Sequence, residues 1–294
     1  MENENLIFNT FIIGVQKAGT SYLQSILSQH PEIETHHGNE FTGFLDPFYK
    51  DEAALGKSMK QAFNKDQLSS KKHILGKNVG IFVSKVALKR LFSHNKNVKL
   101  IVVLRNPIDR VFSAYNYCLS RGLEKNKSFT DSIRERNRYA NDVVRSRSCN
   151  YINTSMYSLH MDLIYEFVKK ERIMLINFED LKNNPNKICV DIFKFMGLPH
   201  DNVLLETRKV VNAGKKARFP KLNRFFLIKN TWINKLWKKL PPDFRVKTVN
   251  NLLELNTIKK TKRDSISSSD SLYLKEVFRE DLEKLKSKYG IHLN

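Results

Sequence analysis

The sequence predicts an α/β fold with a mostly parallel, P-loop-like sheet flanked by helices on both faces. Two observations carry this: short apolar runs alternate with segments of helical spacing, and the first run breaks on a glycine loop that opens a helix. Leu6–Ile13 is apolar and β-branched and stops at Gly14, after which Thr20–Gln29 places Leu23, Ile26 and Leu27 on one helical face. Val98–Leu104 is a second apolar run, ended by Arg105-Asn106-Pro107 and followed by helical spacing from Ile108 to Leu119. Arg172–Phe178 makes a third strand, preceded by a helix over Met156–Val168 and followed by Asn184-Pro185, which opens another toward Met196-Gly197. Parallel sheets of this kind bind ligands at the carboxyl ends of their strands. Thr35–Lys50, Gln67–Gly76 and Thr207–Arg224 read as less regular, and Ser265–Ser271 as a link or N-cap into a last helix, Leu272–Tyr289. Asn212–Arg245 interleaves Lys and Arg with Phe219, Phe225, Phe226, Trp232 and Trp237, the pattern of a lid over a site or of an amphipathic layer with a basic face. No internal repeat is present, and residues 1–294 are read as a single domain.

The 51 Lys and Arg against 30 Asp and Glu give a net charge of +21, which favours anionic partners such as nucleotides, acidic glycans or nucleic acid without choosing among them. Cys118, Cys149 and Cys189 form no CxxC pair and an odd set, so neither a disulfide framework nor a zinc site is expected and a reducing, cytoplasmic setting fits. The first residues are acidic and polar rather than basic, unlike a signal peptide. No stretch approaches the ~18 to 20 continuous apolar residues of a membrane helix, so no transmembrane segment is expected.

The octet from Gly14 to Ser21, GVQKAGTS, follows a strand and opens a helix, so its backbone N–H groups and the helix N-terminus converge on a spot suited to phosphate. It is not a nucleotide-triphosphatase loop: GxxxxGK[ST] needs lysine after the second glycine, where this chain has Thr20, and its lysine is Lys17. ATP hydrolysis is therefore disfavoured.

Lys17-Ala18-Gly19-Thr20-Ser21 matches the K-x-G-T-[ST] loop of the PAPS-dependent sulfotransferase family, where PAPS is 3′-phosphoadenosine 5′-phosphosulfate. Arg105-Asn106-Pro107 with Ser113 matches that family's second element, an R-N-P at a strand end with a Ser in the next helix. Asn177-Phe178-Glu179-Asp180-Leu181 leading to Phe195-Met196-Gly197-Leu198-Pro199 is similar to its "YEDL…FLGLP" segment, and Ser155-Met156-Tyr157 resembles its "G-x-Y" helix start. The chain thus resembles the family's glycan-type (heparan-sulfate-like) and bacterial branch from residue 6 to about 290, most weakly between 46 and 75 and after 200.

The resemblance implies that PAPS is the donor co-substrate, with residues 17–21 on its 5′-phosphosulfate and Arg105 and Ser113 on its 3′-phosphate. A guanidinium suits the latter task because it grips phosphate bidentately. It also implies three catalytic residues: Lys17 at the leaving phosphate, Glu40 as general base and Lys77 as a further cation. Glu40 takes the place of the Glu in the family's K-E-x-x-F-F stretch, although Asn39 replaces its lysine and Gly43-Phe44 its paired aromatics. Lys77 stands in a K-S-P-x-Y stretch that here reads Lys77-Asn78-Val79-Gly80-Ile81, without Pro or Tyr. The reaction needs no metal.

The Glu base and the cationic surface point to a carbohydrate hydroxyl or amine as acceptor. Two other readings stand beside this one. A small-molecule sulfotransferase would use His36 or His37 as base, though each on its own reads as an exposed loop histidine. A non-catalytic polyanion-binding protein on the same fold would use the net charge alone, without specific nucleic-acid recognition.

Overall fold

The computed structural model describes residues 6–63, 73–124, 128–135, 148–200, 203, 205–207, 215–217, 257–259 and 265–293. Apart from residues 215–217, the basic segment Asn212–Arg245 with its aromatic residues lies outside these. Five strands form one parallel sheet in the order β2-β3-β1-β4-β5: β1 Thr10–Gly14, β2 Ile33–Thr35, β3 His73–Lys77, β4 Lys99–Leu104 and β5 Ile173–Asn177. The helices among the described residues include α1 Thr20–Leu27, α2 Glu52–Ala62, α3 Lys85–His94, α4 Pro107–Ser120, α5 Phe129–Arg134, α6 Tyr151–Ser155, α7 Tyr157–Tyr165, α8 Phe178–Asn183, α9 Pro185–Met196 and α10 Ser268–Tyr289. No helix among the described residues is long and apolar enough to cross a membrane.

The chain divides into two compact units. The first comprises Met1–Arg110, Thr154–Lys209 and Val277–Asn294 and holds the whole sheet. The second comprises Val111–Asn153 and Val210–Glu276. In it, β6 Lys215–Ala217 pairs antiparallel with β7 Thr257–Lys259, Tyr151 donates to Glu124 Oε2 at 2.8 Å, and Thr130 Oγ1 donates to Asp270 Oδ2 at 2.8 Å.

Most predicted elements stand within a few residues of their expected bounds. The first strand begins at Thr10 rather than Leu6, yet Asn9 already bridges its neighbours: its N–H donates to the Ile74 carbonyl at 3.0 Å and its carbonyl accepts from Lys99 N–H at 2.9 Å. In α9, Pro185 opens the helix at a position needing no N–H, and Gly197 closes it at φ 81°, a left-handed conformation that suits glycine. The last helix starts four residues earlier than expected, because Ser267 Oγ accepts from Asp270 N–H at 3.1 Å and so caps it.

One expectation about the strands is overturned. Gln67–Gly76 reads as irregular, but His73–Lys77 is a buried strand beside β1. Its polar and glycine content has tertiary reasons. His73 Nε2 bonds Thr10 Oγ1 at 2.8 Å, and a Cβ on Gly76 would lie 2.2 Å from the Phe11 ring. That ring belongs to an edge-to-face cluster with Phe8, Phe41 and Phe44 behind the sheet.

Burial makes the fold acid-sensitive. It pushes the His36 and His73 imidazoles down to about 4, while in the unfolded chain they protonate near 6.5. Below about 6.5 the unfolded state therefore binds more protons, and stability present above that pH is lost as it falls toward 4. The expected loss between pH 7 and pH 5 is about 2 kcal/mol per histidine. Chemical denaturation at the two pH values should show it, and a His73→Gln variant should lose about 2 kcal/mol of the pH dependence.

Candidate active site

Lys17, Lys77 and Arg105 stand at the carboxyl ends of β1, β3 and β4. After β1, the loop turns at Lys17, whose φ of 73° is left-handed and unusual for a non-glycine residue, and at Gly19, φ 79°, where α1 begins. Gly19 is required twice over, since a Cβ there would also press to 3.1 Å of the Phe178 ring. Gly19, the N-cap of α1, has no side chain to cap it, so the N–H groups of the first turn are presented toward an anion, with the helix dipole behind them. Lys17 and Gly19 are half-buried, Ala18 and Thr20 buried, and Ser21 exposed.

Lys77, the last residue of β3, has a fully buried side chain whose Nζ donates to Ser21 Oγ at 3.2 Å and to Glu40 Oε1 at 2.8 Å. The other Glu40 oxygen accepts from Val79 N–H at 2.9 Å. A buried ammonium is tolerable only with such partners. Loop, cation and candidate base are thus joined by consecutive hydrogen bonds.

Burial raises the Glu40 carboxyl above its ordinary value, and the Lys77 charge and the hydrogen bonds from Lys77 and Val79 offset only part of that. A raised carboxyl is a stronger base near neutral pH. Removing the cation in Lys77→Met takes away a group that favours ionised Glu40, so its pKa should rise further. In a pH–rate profile of that variant, the acid limb is expected at higher pH than in wild type.

Arg105 directly follows β4 and is half-buried. Its Nη1 donates to the Lys17 carbonyl at 3.1 Å, its guanidinium lies 4.8 Å from the Phe178 ring centre, and its own carbonyl accepts from Tyr157 Oη at 2.8 Å. Tyr157 is tied down in turn, because Asp281 accepts from the N–H groups of Tyr157 and Ser158 at 2.8 and 3.0 Å. Among the described residues, the buried Arg105 Nε nevertheless has no hydrogen-bond partner, and neither has Gln16 Oε1 on the loop. An unpartnered interior donor costs about 1–3 kcal/mol, and an anion held by the guanidinium removes that cost. Ser113 sits half-buried on α4 in the second unit.

His36 corrects the expectation of an exposed loop histidine. It is buried, and its ring is fully engaged: Nδ1 bonds the His37 carbonyl at 3.1 Å, while Nε2 accepts from Lys77 N–H at 3.2 Å and faces the Gln24 amide at 3.3 Å. With its pKa pushed down to about 4 by burial, it is a neutral brace for Lys77. His37 is exposed and lines, with Glu40, a cleft of about 290 Å³. Phe178 and Tyr157 stand out in the sequence only as parts of resembling segments, and their roles around Arg105 emerge from the fold.

The sulfotransferase domain family matches residues 9–285. The chain belongs to that family. Mouse heparan sulfate glucosamine 3-O-sulfotransferase 3B1 is 28% identical over 187 residues, which cover 64% of this chain and 45% of the relative. The chain spans about half the length of the curated relatives it matches, such as this one and human heparan sulfate glucosamine 3-O-sulfotransferase 5. A sulfotransferase from Alicyclobacillus acidocaldarius has the same fold, with a TM-score of 0.64 at 19% identity over 98% of each chain. Mouse sulfotransferase SULT7A1 complexed with PAP, the spent donor 3′-phosphoadenosine 5′-phosphate, has a TM-score of 0.52 at 13% identity over 96% of this chain and 86% of its own. In this member of the family, the α1 terminus and the Arg105 nitrogen lie on the two segments that carry the resembling motifs, Lys17–Ser21 and Arg105–Pro107.

Proposed function

We propose that the chain transfers a sulfuryl group from PAPS to a carbohydrate hydroxyl or amine, with Glu40 as general base. The observation that carries this reading is the Ser21–Lys77–Glu40 relay, which sets a carboxylate of raised pKa beside the phosphate loop. PAPS supplies the sulfuryl group and leaves as PAP. Residues 17–21 hold its phosphosulfate end through the loop N–H groups and Lys17, and Arg105 takes the 3′-phosphate. Ser113 joins that task on the strength of the family motif. Glu40 accepts the proton from the acceptor as its oxygen or nitrogen bonds to sulfur. Lys77 holds the Glu40 carboxylate in place and supplies positive charge near the oxygens that gain negative charge.

The acceptor class is supported by the heparan sulfate relatives and by the net charge of +21. The small-molecule reading loses His36, whose ring nitrogens are all engaged. Incubation with PAPS and glucosamine-containing oligosaccharides should release PAP in step with sulfated product. Release of PAP at the same rate with and without any oligosaccharide would contradict the proposal.

A further inference from the structure

We propose that the cleft beside Glu40 seats one pyranose ring of the acceptor, with Phe48 as the stacking platform and Ser58 and Gln61 as readers of its hydroxyl groups. This rests on the sulfuryl-transfer reading above and assigns residues that the family motifs leave unmarked.

The cleft of about 290 Å³ is lined by Glu40, His37, Thr42, Phe48, Ser58 and Gln61 among others. Phe48 is 44% exposed and lines this cleft. An aromatic face carries negative quadrupole charge and attracts the weakly positive C–H groups on the flat side of a sugar ring. Ser58 and Gln61 are three residues apart on α2 and so share a face of that helix. Leu55 and Met59 are its buried residues and hold the helix in place. Ser58 Oγ spends its proton on the Ala54 carbonyl at 2.9 Å, which leaves its lone pairs to accept from a ligand. Gln61 is exposed at the end of the helix, where its amide can both donate and accept.

The balance of the lining chooses the acceptor. Small phenolic acceptors suit pockets lined mainly by apolar side chains. Bound here, a phenol would cover the Thr42, Ser58 and Gln61 polar groups without pairing them, which is unfavourable. A sugar offers a hydroxyl to each of these and an apolar face to Phe48. The volume, at the small end of ligand sites, suits one ring at a time.

The test measures sulfuryl transfer from radiolabelled PAPS to chitotetraose, cellotetraose and 4-nitrophenol, with PAP affinity measured on every variant. Wild type should sulfate a tetrasaccharide in preference to the phenol. Phe48→Ala should raise the acceptor KM roughly three- to tenfold, with kcat and PAP affinity within about twofold of wild type, and Phe48→Tyr should restore it. Gln61→Ala should act in the same direction as Phe48→Ala. Unchanged acceptor KM in both alanine variants would overturn the assignment. So would preferential sulfation of 4-nitrophenol, or no transfer to either sugar, by enzyme that still binds PAP; in those cases the donor reading survives. A wild type that fails to bind PAP removes both readings together.

Discussion

Glu40→Gln should lower kcat by roughly 10²- to 10⁴-fold, the range expected for loss of a positioned base, while PAP affinity stays within about twofold of wild type. The substitution keeps an oxygen for Lys77 Nζ and nearly the same volume, so the buried ammonium retains a partner and the fold should hold. It removes only the ability to take a proton. The acid limb of the pH–rate profile, which burial of the Glu40 carboxyl sets above its ordinary value, should disappear from the residual activity. Retention of most activity, with an acid limb still present, would move the base to His37 in the same cleft.

Lys17→Ala is expected to cost roughly 10²- to 10³-fold in kcat, comparable to losing one preorganised charge-stabilising group. The backbone should survive the change: alanine meets the same left-handed strain at φ 73°, and the Lys17 carbonyl that accepts from Arg105 belongs to the main chain. Lys17→Arg should recover part of the rate, since charge is restored without the same reach. Steady-state kinetics separates the possibilities. A fall in kcat means the ammonium acts mainly on the transition state, whereas a rise in the KM for PAPS at constant kcat would reduce Lys17 to ground-state binding.

The strand–loop–helix units around Gly14 and Arg105 are legible in the sequence because β1 and β4 are buried on both faces, so their apolar runs are nearly unbroken. β3 is equally buried but escapes that pattern, since His73, Gly76 and Lys77 interrupt its apolar run for reasons found far along the chain. His73 needs Thr10, Gly76 needs the Phe11 ring, and Lys77 needs Glu40 and Ser21. Spacing cannot reveal such pairs. Family resemblance names Lys77 and Glu40 separately, and only the sheet order, with β3 beside β1, shows why they meet. His36 is hidden in the same way: a histidine in a polar stretch looks exposed until the Lys77 N–H and His37 carbonyl are seen to satisfy its ring. The brace on Arg105 from Phe178, Tyr157 and Asp281 likewise draws on positions far apart in sequence.

Calorimetric titration of PAP into wild type and Arg105→Ala, with ATP as the control ligand, tests the central claim most directly. Arg105 offers an unpartnered nitrogen beside the loop. Removing a charge-assisted, bidentate grip on phosphate at a partly buried site costs about 2–5 kcal/mol, or roughly 30- to 5,000-fold in affinity. The expected result is tight binding of PAP by wild type, weaker binding of ATP, which has no 3′-phosphate, and disappearance of the preference in Arg105→Ala. Equal affinity for PAP and ATP, or PAP binding indifferent to Arg105, would contradict the donor site and leave the cationic surface as a general polyanion binder.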